Sequence, residues 1–278
     1  RIVLFFISTY SLDGKETELY FAYSDDGGKT WSTPEVFSAP ADYGSVTPVA
    51  ERYPRVLYYY GRIYVAWYAE VNVSTSVNNY TICFRSMNAT NFADRSSIDM
   101  IVNSTDNFTR SISLWRYYIW SGFGYYDFGI SYINTSDYDL YIYVRYTSFL
   151  FGTDWYKHPD SPRIDYIYDS AWNNFYDHDI AYIGDNTWLI AFICSNSLNG
   201  RRPIWTSITN DTFTNWTEPQ AVYPTLYHEY HPSVEYYEGE DIVIVGGMIY
   251  NTFHPSIPFV VSSRNKGASW SSPRVIYR

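Results

Sequence analysis

The chain is short of charge and of chemically labile side chains. Charged residues make up 17% of its 278 positions, against a typical quarter, and it holds one glutamine (Gln220), three methionines and two cysteines. No cluster of Lys and Arg stands out, Arg201-Arg202 being only a pair, and the net charge is -10. That excludes nucleic acid as a partner, because phosphates call for clustered cations. No apolar run reaches the roughly 18 residues that a membrane-spanning helix needs. No Pro/Gly/Ser linker or low-complexity tract divides the chain, which favours one large domain, 1–278, over two smaller ones. Few thermolabile and few chargeable side chains suit heat and acid, a thermophile's working conditions. The first residue is Arg1 and not Met, the start expected of a mature or trimmed product.

What the chain has instead is aromatic side chains, 21% of the total with 32 Tyr. Much of the surface must then be Tyr, Ser, Thr and Asn, a composition that suits strands. Through this background runs an eight-position frame, S-x-D-x-G-x-T-W. Its best copy is Ser24-Asp25-Asp26-Gly27-Gly28-Lys29-Thr30-Trp31. Further copies keep Ser148, Gly152 and Trp155; Thr209, Asp211 and Trp216; and Ser263, Asn265, Gly267, Ser269 and Trp270, and a shorter one keeps Ser86, Asn88 and Phe92. The near-constant interval between copies is the mark of a repeat array whose units need neighbours to bury their faces.

In the best copy Asp-Asp-Gly-Gly is a hairpin-turn signal between two strand-like runs, Glu18–Ser24 and Pro34–Ser38. Ser and Asp can bond the turn's own backbone while Trp closes over it. Asn, Leu or Asn replaces the Asp in three of the five copies, which argues against a metal loop and for a fold marker. The frame resembles the Asp box, or bacterial neuraminidase repeat, of sialidase-like β-propellers, and the resemblance extends over nearly the whole chain.

Read back from each box, a unit shows three strand-like runs, with a fourth after the box. The second unit has Pro54–Tyr59, Arg62–Trp67, Tyr80–Arg85 and Ser97–Val102; later units open with Trp115–Trp120 and Tyr125–Ile133, Asp179–Ile183 and Thr187–Cys194, and Pro232–Tyr237 and Asp241–Gly246. Four strands per repeat make a propeller blade. The expectation is an all-β propeller of four-stranded antiparallel blades, five visible at about 1–45, 46–107, 108–162, 163–225 and 226–278, and six if upstream sequence exists. The first unit departs from the pattern, since its box lies too near Arg1 for more than a second strand, Arg1–Ile7, and an innermost strand is lacking. Either upstream residues or a neighbouring chain, in a homo-oligomer, would supply it. Cys83 and Cys194 fall two repeats apart and are expected as separate buried thiols.

Innermost strands line a propeller's channel, and their starts collect Arg55, Arg116, Asp177-His178-Asp179 and His231. The sialidase resemblance implies arginines that hold a substrate carboxylate, an acid Asp and a Tyr/Glu nucleophile. It reaches Arg55, where Pro precedes and Val follows, and Arg116 as a second arginine; His231 stands where a third would be, and no Tyr/Glu pair is singled out. Asp177 and Asp179 share one strand face with His178 on the other, a pattern for paired acid and base work or for a strand-end hydrogen-bond network. His228, Glu229 and His231 lack a further ligand at a telling spacing, so no metal or other cofactor is expected. Tyr53, Trp115, Trp172, Tyr176 and Tyr230 offer stacking faces for sugar rings.

Sequons occur at Asn72, Asn79, Asn88, Asn103, Asn107, Asn134, Asn210 and Asn215, eight of 17 Asn, where a Ser-plus-Thr content of about 18% gives about three by chance. The excess points to an N-glycosylated surface outside the cell or on a virion. The function expected is a recognition, adhesion or surface-assembly propeller that binds glycans or surface glycoproteins, with a sialidase-type exo-glycosidase acting on acidic sugars as the alternative.

Overall fold

A computed structural model of the chain describes residues 1–9, 16–74, 77–104, 111–120, 124–133, 140–148, 152–157, 175–194, 202–210, 216–223, 228–251 and 254–276. Apart from two short 3-10 turns, its described elements are all strands. They fall into two compact units, 1–112 and 113–278.

In the N-terminal unit β1 (Ile2–Ser8), β2 (Glu18–Ser24) and β3 (Glu35–Val36) form a three-stranded sheet in chain order. It is followed by a four-stranded antiparallel sheet of β4 (Thr47–Tyr59), β5 (Arg62–Ser74), β6 (Val77–Asn88) and β7 (Asp99–Ser104). The C-terminal unit repeats that meander. Its first sheet is β8 (Ile112–Trp120), β9 (Gly124–Ile133), β10 (Leu140–Ser148) and β11 (Gly152–Lys157). The second is β12 (Phe175–Tyr182), β13 (Thr187–Cys194), β14 (Trp205–Asn210) and β15 (Gln220–Ala221). The third is β16 (His228–Tyr237), β17 (Ile242–Asn251), β18 (His254–Ser263) and β19 (Arg274–Val275).

Four-stranded antiparallel blades are thus the building unit, but among the described residues there are four of them and not five. The first sheet differs, with three described strands, β1, β2 and β3. β1 and β2 pair in unbroken register from Ile2↔Ser24 to Ser8↔Glu18, as second and third strands of a blade do.

Second strands are sandwiched on both faces and so read as continuous apolar runs; β13, Thr-Trp-Leu-Ile-Ala-Phe-Ile-Cys, is buried from its second residue on. In the N-terminal unit the core gathers Leu19, Phe21, Phe37, Val65 and Trp67. The C-terminal unit has two cores, one around Trp188, Ile190 and Phe192, the other around Leu189, Val234 and Val245. Cys83 and Cys194 are both buried and neither is in a disulfide.

Innermost strands begin earlier than their prolines suggest. β4 and β16 run back to Thr47 and His228, through Pro54 and Pro232. A register shift falls between Arg52 and Arg55 and between Tyr230 and Ser233, and Tyr53 and His231, each just before the proline, have left-handed φ of 55° and 53°. The bulge removes the need for an N–H that proline lacks. β12 bulges at the corresponding place, between Phe175 and Asp177.

A second device recurs with the bulge. Buried Glu51 accepts a hydrogen bond from the backbone N–H of Leu19 at 2.7 Å, and its own N–H donates to the Thr17 carbonyl. Buried Glu229 accepts from Ile204 N–H at 2.6 Å and donates to the Arg202 carbonyl. Each glutamate ties an innermost strand to the start of a third strand in the sheet before it. Glu51 also takes the Tyr43 hydroxyl, which in turn accepts from Trp67 Nε1.

Candidate functional site

The starts of β12 and β16 lie side by side in the C-terminal unit, and their bulges turn polar groups to one end of the sheets. Asp177 is mostly buried. One carboxylate oxygen accepts the N–H of His178 at 2.9 Å, and the other lies 3.0 Å from Nδ1 of His231. That acceptor places the imidazole proton on Nδ1. The His231 side chain is 79% exposed. The left-handed backbone at His231 is what lifts the ring out of the sheet.

Asp179 has a different occupation. Its Oδ1 accepts from Ser113 Oγ on β8 at 2.6 Å and its Oδ2 from Val234 N–H on β16 at 2.9 Å. It bridges three successive innermost strands. His178 is fully buried, with Nε2 2.5 Å from Ser131 Oγ on β9. Trp115 is also buried, seated where a Cβ on Gly129 would come within 2.3 Å of its ring, so only glycine fits there. Arg116 is half-buried on β8.

Around the Asp177–His231 pair stand aromatic rings. The guanidinium of Arg202 lies 4.5 Å above the Tyr176 ring. Tyr230, half-buried, has His228 and His231 within 6.5 Å and Tyr250 packed edge-on at 6.0 Å. Among the described residues the buried Nδ1 of His228 has no hydrogen-bond partner. Glu235, further along β16, has its carboxyl raised above the ordinary range by burial of that group and by the Asp179 charge, although the residue as a whole is exposed.

The sequence picked out Asp177, Asp179, His178, Tyr230 and His231, and the structure gathers them at this end of the unit. It passed over Glu235 and Tyr250, read Arg202 only as half of a pair, and weighed His228 only as a metal ligand. Glu51 and Glu229 were legible as a shared frame, Glu51-Arg52-Tyr53-Pro54 and Glu229-Tyr230-His231-Pro232. In the N-terminal unit Tyr53 is 42% exposed with its ring 6.3 Å from Tyr68, and Arg55 donates from Nε to the Ile112 carbonyl at 2.6 Å. Trp172 lies outside the described residues. Of the sequons, Asn72 and Asn210 are exposed and Asn79 and Asn88 half-buried. The Asn103 side chain and Asn107, Asn134 and Asn215 lie outside what is described. Among the described residues no three His, Cys, Asp or Glu side chains converge as metal ligands, and no helix is long and apolar enough to cross a membrane.

The box loops have definite geometry. Ser24 Oγ receives Gly28 N–H at 2.8 Å, and Asp26 Oδ1 receives Lys29 and Thr30 N–H at 3.0 and 2.9 Å. Ser263 Oγ receives Gly267 N–H and Asn265 Oδ1 receives Ser269 N–H in the same way. Hydrogen bonds from the Thr30 backbone and hydroxyl, and from Ser24, hold the Asp26 carboxyl down to about 2.

No protein-family profile matches the sequence, and comparison with curated proteins finds no relative. Solved structures do share the fold. The Hadza microbial sialidase Hz136 superposes with a TM-score of 0.55 at 14% identity, over 94% of this chain and 53% of its own. The phage phi92 endosialidase gives 0.55 at 12% identity, over 98% and 56%. Sucrose-6-phosphate hydrolase from Lactobacillus gasseri gives 0.54 at 9% identity, over 99% and 56%. The likeness shows a sialidase-like β-propeller fold, and the chain spans little more than half the length of each of these proteins.

Proposed function

We propose that the protein is a glycan-recognition propeller that works outside the cell or on a virion surface, and that it holds carbohydrate at the starts of β12 and β16. The observation that carries this is the Tyr176–Arg202 and Tyr230–His231–Asp177 cluster. Tyr faces give a sugar ring an apolar platform, while Arg202 and the exposed His231 supply hydrogen bonds to its hydroxyls. Exposed Asn72 and Asn210 are consistent with a glycosylated surface, and the two box loops that are fully described support reading the repeat as Asp boxes on one propeller domain, 1–278. The test is a glycan array followed by calorimetry. Tyr230→Ala should weaken binding by roughly tenfold, the stacking and burial of one aromatic ring. Absence of binding to every glycan, or an unchanged affinity in Tyr230→Ala, overturns the reading.

One observation favours the exo-glycosidase alternative. A carboxyl raised as that of Glu235 is raised is suited to protonate a leaving group, and an imidazole fixed by Asp177 is suited to accept a proton. Hydrolysis of a fluorogenic sialoside whose rate falls on the alkaline side in the parent, and which is lost in Glu235→Gln, supports it. No turnover from acid to neutral pH removes it.

A further inference from the structure

The third position of the box is described in three copies, as Asp26, Asn88 and Asn265. In each, one oxygen holds the loop. Asp26 Oδ1 accepts the Ser24 hydroxyl together with Lys29 and Thr30 N–H, and Asn265 Oδ1 accepts the Ser263 hydroxyl together with Ser269 N–H. Asn88 Oδ1 accepts Thr90 N–H at 2.9 Å, Asn91 N–H at 3.1 Å and the Thr90 hydroxyl at 2.8 Å. Donors converging on that atom identify it as the carbonyl end of the amide.

The copies differ in the second atom. Asp26 Oδ2 takes the Thr30 hydroxyl at 2.7 Å, and Asn265 Nδ2 donates to the Ser269 hydroxyl at 2.9 Å. Both partners stand four residues on. Four residues on from Asn88 is Phe92, which has no hydroxyl and packs its ring on Phe21 and Tyr23 at 5.3 and 5.0 Å. Asn88 Nδ2 accordingly makes no hydrogen bond among the described residues. Aspartate would accept the same donors, so the loop alone does not call for an amide here. What the amide adds is a sequon, Asn88-Ala89-Thr90, with an exposed threonine and no proline in the middle. Asn265-Lys266-Gly267 is not one. Asn88 is half-buried while Asp26 and Asn265 are exposed, so the position reaches the surface in each box that is described.

We propose that Asn88 is an N-glycosylation site built into a box loop, where Oδ1 holds the loop and Nδ2 carries the sugar. The assignment rests on the reading that the protein works outside the cell. In the transfer the anomeric C1–O bond of a glycosyl diphosphate donor breaks and a C1–Nδ2 bond forms; the diphosphate leaves, and one amide proton passes to a base of the transferase. Oδ1 keeps its donors throughout. Loop and glycan therefore do not compete for the side chain, whereas Asn265 spends its Nδ2 on Ser269. The exchange of Asp for Asn at this one box thus costs the loop no acceptor and adds a carrier atom.

The test is secretion of the intact chain from a cell that N-glycosylates its exported proteins. Enzymatic release of the glycans in heavy-oxygen water then marks each carrier asparagine as heavy aspartate for peptide mass spectrometry. Label at Asn88 is expected, and Asn88→Asp should lose one glycan from the intact mass. Made in a host without glycosylation, Asn88→Asp should melt within about 1 °C of the parent, while Asn88→Ala, which strands the loop's donors, should melt roughly 2–4 °C lower. An unlabelled Asn88 beside a labelled Asn72 or Asn210 overturns the site and leaves the glycosylated-surface reading standing; no label at any sequon removes both. Label at Asn88 in a protein silent on every glycan array keeps the site and removes only the recognition reading. An Asn88→Asp variant as destabilised as Asn88→Ala overturns the division of labour between the two atoms.

Discussion

Val56 and Val234 follow the same bulge, behind the same Glu-x-x-Pro frame and opposite the same kind of buried valine, yet one is half in water and the other is not. The repeat builds the strand. Its burial depends on what packs against it, so equal sequences in a repeat array acquire unequal energetics. The largest test of the shared plan is removal of its glutamates. Glu229→Ala leaves the Ile204 N–H buried without its acceptor and should cost about 2–4 kcal/mol by urea unfolding; Glu51→Ala, which also strands the Tyr43 hydroxyl, should cost more. Glutamine at either position keeps an acceptor and should restore most of the loss. A Glu229→Ala variant as stable as the parent would mean that the two strands only look alike.

The valines themselves give the next effect. Val234→Ala opens a cavity in a packed cluster and should cost about 1.5–3 kcal/mol, while Val56→Ala should stay within about 0.5 kcal/mol. Equal costs would show that Val56 is covered in solution.

The same pair of strands shows what was legible in the sequence. Box spacing and apolar runs were enough to read four strands per unit, because strand-forming runs and tight turns are local signals. The innermost strand starts were misplaced at Pro54 and Pro232. A proline reads as a stop unless a bulge, set by pairing with a distant strand, excuses its missing N–H. Trp115 read as a sugar platform, but whether a tryptophan lies on a surface or in a core depends here on Gly129 across the β8–β9 pair. Arg202 looked like half of a bare pair, since its place over Tyr176 is made by the fold and not by spacing. Asp177 and Asp179 were alike on paper; the structure separates a carboxylate that aims a histidine from one that ties three strands together.

The bulges allow a finer comparison. Tyr53 and His231 both hold left-handed backbone that glycine adopts without penalty, a relief of about 1 kcal/mol. Tyr53→Gly loses only a loose ring contact with Tyr68 and should leave stability level or raised by up to about 1 kcal/mol. His231→Gly gains the same relief but gives up the bond to Asp177, so its net change should be near zero or unfavourable by about 0.5 kcal/mol. If both variants gain equally in thermal unfolding, the Asp177–His231 pair contributes nothing to the fold, and its geometry is then to be explained by the ligand alone.

The smallest effect separates the first box loop from the last. Asp26 and Asn265 each receive the backbone N–H four residues on, and Asp26 that of Lys29 as well, but only Asp26 titrates, and its folded-state carboxyl is held down to about 2 by Thr30 and Ser24. A carboxyl lowered by folding stabilises the fold when it is ionised, above the ordinary aspartate range near 4, and that contribution fades as pH falls toward 2. Asn265 needs no proton to be lost, so its loop should hold unchanged through the same window. Urea midpoints for the parent and for Asp26→Asn should therefore differ most above about pH 5 and converge by about pH 2. The difference will be small, because the carboxylate is exposed and water competes for its hydrogen bonds. Parallel curves across that range would show that the loop is held by its serine and glycine, Ser24 and Gly28, and that the choice between Asp and Asn at the frame's third position is indifferent to the fold.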